Sequence, residues 1–242
     1  MSKELIKYLS TFVTENRLKR FEEVLQHRTR HLTVVLEDIY QPHNAAAVLR
    51  SCDCFGIQDV HVIENKNKFE ASPDVELGSL KWLTLHKYNS KEDPSTLPAP
   101  QGVLRTGPAS SLRVTENCIA ALKKAGYKII VTSPHKNDCS IDELDITSKT
   151  ALFFGTEQRG ATPVAFEQAD GFVKIPMVGF TESLNISVSA AVTLYSLTSR
   201  LKKSLVNWKL SPEEEFGLRL QWLKNSIPKV ELLEKEFLGR RK

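Results

Sequence analysis

The stretch "IPMVGFTESLNISVSAAV", residues 175–192, changes character twice. A β-like run stops at Pro176 and Gly179, and a polar patch of Thr181, Glu182, Ser183 and Asn185 follows. A helix then begins in Asn, Ile, Ser, Val and Ser, residue types that propensity alone would not choose for a first turn. Short polar side chains and unpaired backbone N–H groups at a strand-to-helix handover form a common ligand position. Ser183 and Asn185 are therefore candidates for chemistry. Asn185-Ile186-Ser187 also fits a glycosylation acceptor, which is irrelevant in a cytoplasmic chain.

Outward from this stretch, strands and helices alternate. "LTVVLEDI" (32–39), "DVHVIE" (59–64), "KWLTLHKY" (81–88), "YKIIVTS" (127–133), "ALFFG" (151–155) and "GFVKIPM" (171–177) are short β-branched or aromatic runs. Helical segments fit between most of them, notably 45–55, 112–125 and 163–169. The pattern predicts an α/β fold with a mostly parallel sheet, which binds ligands at the carboxyl ends of its strands. Residues 3–28 have helical spacing, split at Thr14-Glu15-Asn16. Ser211-Pro212-Glu213-Glu214 predicts a capping box with Pro at the first helical position, and Pro228 opens a final helix. Between Asn89 and Ser111, Pro94, Pro98, Pro100, Gly102, Gly107 and Pro108 predict a long mobile surface loop.

At 41% hydrophobic and 26% charged, the chain can bury one sizeable core with appended helices. No apolar run reaches membrane-spanning length, and Met1–Lys7 lacks the apolar core of a signal peptide, so a cytoplasmic location is expected. Cys52 and Cys54 have neither zinc spacing nor a second Cys/His pair nearby; Cys52 reads as a buried small hydrophobe, and no metal is expected. The net charge of +4 is unevenly spread: residues 1–35 carry seven Lys/Arg against four Glu, and residues 202–242 carry ten against six. Basic ends around a mildly acidic centre suggest that terminal helices meet a polyanion, although solvated helix faces would give the same count.

Two further segments can carry chemistry. In "PHNAAAVLRSCDCFG" (42–56), Asn44 reads as an N-cap, and Val48, Leu49, Cys52 and Phe55 form the buried stripe. Arg50 points away from that stripe, where it is either functional or a solvated arginine pairing with Asp53. In "LFFGTEQRGATP" (152–163), Gly155 and Gly160 flank Glu157, and Thr162-Pro163 opens a helix. The glycines permit close backbone approach to a ligand, or simply a tight turn. The segment is no P-loop, so a nucleoside triphosphate is not expected.

Together, Asn44…Arg50…Gly56, Leu152–Gly160 and Ile175–Ala191 resemble the three motifs of the SpoU (TrmH) family of RNA ribose 2′-O-methyltransferases, within the SPOUT superfamily. The likeness extends over nearly the whole chain and points to the tRNA-guanosine branch. It implies a deep trefoil knot at the C-terminal side of the α/β domain. It also implies S-adenosyl-L-methionine bound around Thr132, Gly155, Ile175, Met177 and Leu184, and a homodimer acting on tRNA. The implied target is the D-loop guanosine at position 18. By resemblance Arg50 acts on the ribose hydroxyl. Asn44 and Glu157 position Arg50 and the RNA, and Ser183 and Asn185 organise the acceptor site. The implied organisation is an N-terminal helical RNA-binding extension (1–30), the knotted methyltransferase domain (31–203) and a C-terminal helical extension (204–242).

The basic residues expected at the RNA are Arg17, Lys19, Arg20, Arg28 and Arg30 before the first strand, with Arg200, Lys202 and Lys203 after the knot helix. Two rivals remain. One is ribosomal RNA ribose methylation, whose enzymes often carry a folded N-terminal RNA-binding domain; about thirty residues before the first strand are too few for one. The other is a catalytically silent RNA-binding protein, which has no need of Asn44, Arg50, Glu157, Ser183 and Asn185 together.

Overall fold

The computed structural model describes residues 2–70, 78–89, 108–133, 139–156 and 159–239. They form two compact units, Met1–Thr29 with Lys209–Lys242, and Arg30–Trp208.

In the first unit, the apolar spacing near the N-terminus becomes helices α1 (Ser2–Ser10) and α2 (Glu15–Leu25). They divide at Thr14, whose hydroxyl caps α2 by accepting from the Arg17 amide at 3.3 Å. Near the C-terminus, the capping box forms as expected: the Ser211 amide donates to Glu214 at 2.8 Å and the Glu214 amide to Ser211 Oγ at 3.2 Å. These bonds start α7 (Pro212–Ser226), and α8 (Val230–Gly239) follows Lys229, whose φ is 54°. Phe21 of α2 meets Trp222 of α7 edge-on, with ring centroids 5.5 Å apart.

The second unit holds β1 (Leu32–Glu37), α3 (Pro42–Phe55), β2 (Asp59–Glu64), β3 (Thr84–Asn89), α4 (Pro108–Lys124), β4 (Lys128–Thr132), β5 (Cys139–Ser140), β6 (Thr150–Phe154), α5 (Pro163–Gln168), β7 (Gly171–Lys174) and α6 (Ile186–Lys203). Among the described residues the sheet has seven strands in the order β3-β2-β1-β6-β4-β7-β5, and every pairing is parallel. Parallel sheets bury both faces, which is why β1 is mostly apolar and is buried along its whole length, Thr33 and Glu37 included. One face packs Val48, Leu49 and Cys52 of α3 and Ala190, Leu194 and Leu197 of α6 against Val34, Leu36, Val60, Val62 and Leu152. The other packs Val114, Cys118, Ile119 and Leu122 of α4 and Ala165 of α5 against Val35, Ile129, Val131 and Phe153.

The chain leaves β1 toward β2 and β3 on one side, then returns to build β4, β6 and β7 on the other. Such a reversal opens a crevice at the carboxyl ends of the strands. Cys52 lies in the core as its stripe predicts. Two local expectations change. Gln41, not Asn44, is the N-cap residue of α3, because Pro42 at the first helical position draws the helix start forward and leaves Asn44 in the first turn. Helix α4 begins at Pro108, and most of the expected mobile loop, residues 90–107, lies outside the described residues.

Candidate active site

A cavity of about 570 Å³ lies beyond the carboxyl ends of β4, β6 and β7. That volume is in the range of small-molecule sites. All five residues expected around a cofactor line it: Thr132, Gly155, Ile175, Met177 and Leu184. Asn44, Ser183 and Asn185 line it too. Segments far apart in sequence thus converge on one space.

Local chemistry explains the wall formed by Gly155, Thr156, Arg159 and Gly160. Thr156 and Gly160 exchange two backbone hydrogen bonds of 2.9 Å, and Gly160 has a φ of 68° that suits glycine. A Cβ on Gly155 would stand 2.1 Å from the Ala161 nitrogen and the Gly160 carbonyl carbon, so only glycine lets the end of β6 lie against this turn. Glu157, expected to position the RNA, falls outside the described residues. On the adjoining edge, the Thr132 hydroxyl donates to the Phe153 carbonyl at 3.1 Å, tying β4 to β6 beside the cavity.

The opposite wall is made where α6 begins. Asn185 is its N-cap; Asn185 Oδ1 accepts from the Ser187 amide at 2.9 Å and from Ser187 Oγ at 2.6 Å. The poor helix formers of this stretch therefore serve as cap and first-turn partners. Asn185 Nδ2 donates to Asn44 Oδ1 at 3.2 Å, and Asn44 Nδ2 donates to Gln41 Oε1 at 3.1 Å.

The basic residues divide. Arg17, Lys19, Arg20, Lys202 and Lys203 are exposed, and so is Arg50 on α3, which is not among the residues lining the cavity. Three others, also expected at the RNA, have partners within the protein. Arg28 is 1% exposed with its guanidinium 5.4 Å above the Trp222 ring. Arg30 pairs with Asp59 at 2.9 Å. Arg200 donates to the carbonyls of Ile141 and Leu144 at 2.8 and 2.6 Å. Burial withdraws Arg28 from any polyanion, whereas Arg30 and Arg200 remain partly exposed while held by these partners.

The family model described as the SpoU rRNA Methylase family matches residues 31–102 and 91–195. The chain belongs to the SpoU methylase family. It is 39% identical over 229 residues to the tRNA (guanosine(18)-2′-O)-methyltransferase of Borreliella burgdorferi, covering 95% of this chain and 94% of that one. Among solved structures, the A. aeolicus TrmH/SpoU tRNA modifying enzyme superposes with a TM-score of 0.69 at 29% identity, covering 89% of this SpoU methylase and 98% of that chain. The SpoU methyltransferase AviRb from Streptomyces viridochromogenes, solved in complex with the cofactor AdoMet, shares the fold with a TM-score of 0.53 at 23% identity, over 75% of this chain and 62% of that one.

The cavity of this SpoU methylase also draws on residues that were not among the site candidates read from the sequence. Gln41, Ser133, Arg159, Lys174, Ser189 and Thr193 line it. Ser189 and Thr193 were legible in principle, one and two turns beyond the Asn185 cap. Among the described residues no group of three or more His, Cys, Asp and Glu could hold a metal ion, and no helix is long and apolar enough to cross a membrane.

Proposed function

We propose that this SpoU methylase is a cytoplasmic homodimer that methylates the ribose 2′-hydroxyl of guanosine 18 in the D-loop of tRNA, using S-adenosyl-L-methionine. The observation that carries the reading is the Asn44–Asn185 hydrogen bond at the mouth of the cavity, which joins the first and third motifs at one site. The name of the Borreliella burgdorferi relative supplies the tRNA position.

The cavity suits the cofactor chemically. Ile175, Met177, Leu184 and Phe154 offer apolar surface to a nucleoside, and Thr132, Ser133 and Thr156 offer hydroxyls for its polar edges. Bound there, S-adenosyl-L-methionine supplies an electrophilic sulfonium methyl. The ribose hydroxyl is a weak nucleophile, so the protein must hold it in line and ease loss of its proton. We assign the first task to Arg50, whose planar fork can hold a ribose oxygen and a phosphate at once. A guanidinium stays protonated, so the proton passes to an RNA phosphate held beside Arg50. Asn44, Ser183 and Asn185 order the acceptor site, and Glu157 positions Arg50 and the RNA.

The polypeptide of residues 31–203 forms the methyltransferase domain, with its C-terminal part threaded as a trefoil knot. Residues 1–30 and 204–242 are helical extensions. Arg17, Lys19 and Arg20, with Lys202 and Lys203, meet the RNA backbone. A second copy covers the apolar face of α6, where Val188, Val192 and Tyr195 are exposed at helical spacing; Val178 and Phe180, in the segment before the helix, are fully exposed as well.

The test is methylation of an unmodified tRNA transcript by the purified protein with S-adenosyl-L-methionine, followed by nuclease digestion and mass spectrometry. A single 2′-O-methylguanosine at position 18 is expected, absent when guanosine 18 is replaced by adenosine. Methylation of ribosomal RNA alone, or no methylation of either, would replace this reading with one of its rivals.

A further inference from the structure

Glu37 ends β1 with its side chain fully buried, where the neighbouring strand positions are apolar. Its carboxylate has three donors. Oε2 accepts from the Thr162 amide at 2.8 Å. Oε1 accepts from the Thr162 hydroxyl at 2.9 Å and from the Thr115 hydroxyl at 2.6 Å. Each hydroxyl also accepts from another group. Thr162 Oγ1 caps α5 by accepting from the Ala165 amide at 3.3 Å, and Thr115 Oγ1 accepts from Asn65 Nδ2 at 3.0 Å. An ionised carboxylate, an acceptor at every lone pair, satisfies this arrangement. Burial pushes the Glu37 pKa up, while the Thr115 and Thr162 bonds pull against that shift.

Thr162 follows Ala161, whose backbone nitrogen is the atom a Gly155 side chain would strike. Holding the Thr162 amide therefore holds the chain just beyond the paired Thr156 and Gly160, and Gly155, Thr156, Arg159 and Gly160 wall the cavity. Glu37 is not itself among the lining residues. An apolar residue could fill its space but could not fix an amide and two hydroxyls at once, and a buried carboxylate is costly without such partners.

We infer that Glu37 is a positioning residue for cofactor binding, acting through Thr162 on the turn that forms one wall of the cavity. The inference rests on the cavity being the S-adenosyl-L-methionine site. Thr115 supports Glu37 from α4, bonding the same carboxylate oxygen as the Thr162 hydroxyl.

Calorimetry with S-adenosylhomocysteine on the full chain, alongside thermal melts and tRNA binding without cofactor, tests it. Glu37→Gln keeps the shape but sets an amide donor against donors. It should weaken S-adenosylhomocysteine binding about tenfold or more, the scale of a lost charged hydrogen bond, with tRNA affinity changed less than about twofold. Thr115→Val should weaken it by roughly threefold, and Thr115→Ser should restore it. A lowered melting temperature with unchanged ligand affinity would make Glu37 merely structural and overturn the inference. Should Glu37→Gln not fold, the Thr115 pair decides: equal affinity for the Val and Ser variants overturns it. Failure of the wild-type protein to bind S-adenosylhomocysteine would instead overturn the cofactor reading beneath it.

Discussion

The side-chain amide of Asn185 donates to Asn44 Oδ1 across 3.2 Å, linking the first turns of α3 and α6 over a sequence separation of 141 residues. Each amide also bonds locally, Asn44 to Gln41 and Asn185 to Ser187. The pair therefore fixes where two helix starts stand relative to each other at the cavity. Asn185→Ser should keep the cap at a cost of a few tenths of a kcal/mol while losing the reach to Asn44. In a double-mutant cycle with Asn44→Ala, denaturant unfolding should give a coupling of about 1 kcal/mol. Methyl transfer should fall with either single substitution. Additive losses would show that the cross-link contributes nothing to stability.

How far the site was legible in the sequence follows from what each residue depends on. Strand β1 is readable because a parallel strand buried on both faces is mostly apolar, here through Leu32, Val34, Val35 and Leu36. Strand β5, Cys139–Ser140, is too short to carry any period. Pro42 and not Asn44 governs the start of α3, a case of fixed φ outweighing capping preference. Counting charges places Arg28 and Arg200 with the other basic residues, but Trp222 and the carbonyls of Ile141 and Leu144 claim them, and those partners are brought near only by folding. Glu37 hides for the same reason: at the end of "LTVVLE" it reads as a polar strand terminus, whereas its donors come from α4 and the start of α5. The positions expected around the cofactor were accessible only through resemblance, since no spacing rule places Thr132 and Leu184 on one cavity.

Arg50 is exposed on α3 and stands outside the cavity-lining set of the single chain, while α6 leaves an apolar stripe uncovered. The proposed dimer would account for both, by completing the site with the second copy. Replacing Val188 and Val192 by Asp should yield monomers in sedimentation analysis and reduce methyl transfer by at least about a hundredfold, because a buried unpaired carboxylate is costly at an interface. Arg50→Ala should remain dimeric and bind S-adenosylhomocysteine normally, yet lose transfer; Arg50→Lys should fail as well, a point charge being no substitute for a planar fork. A fully active monomer would show that one chain holds the whole site.

The division among basic residues makes tRNA binding separable from stability. Arg17, Lys19 and Arg20 are exposed on α2, and the Arg20–Glu23 pair at 3.1 Å is solvent-screened on both sides. Alanine at all three should weaken tRNA binding and lower the slope of log affinity against log salt by roughly 2–3, through fewer released counterions. Arg28→Ala should leave that slope unchanged and instead lower unfolding free energy by roughly 1–3 kcal/mol, having removed a buried cation from the Trp222 ring. An altered slope for Arg28→Ala, with stability intact, would put Arg28 back on the RNA surface.

His61 gives the fold a predictable response to acid. It is buried on β2, stacked on His86 of β3 with ring centroids 4.5 Å apart, and its Nδ1 lies 3.2 Å from the Tyr88 hydroxyl. Burial first, and then the neighbouring His86, push its pKa down to about 4, although Asp59 draws it the other way. Asp59 is itself engaged by Arg30 at 2.9 Å and by His86 at 3.4 Å, which limits its help to a protonated His61. A histidine whose folded pKa lies below its unfolded value of about 6.5 costs nothing at neutral pH. As pH falls below 6.5 the unfolded chain takes up a proton that the folded chain refuses, and stability drops until about pH 4. At pH 5 the loss from this residue is about 2 kcal/mol, from 1.36 kcal/mol per pH unit between the two. Denaturant titrations at pH 7 and pH 5 isolate it: the gap between wild type and His61→Gln should shift by that amount toward the variant as the pH is lowered. Parallel behaviour of the two proteins would mean that the folded sheet edge accepts the proton after all.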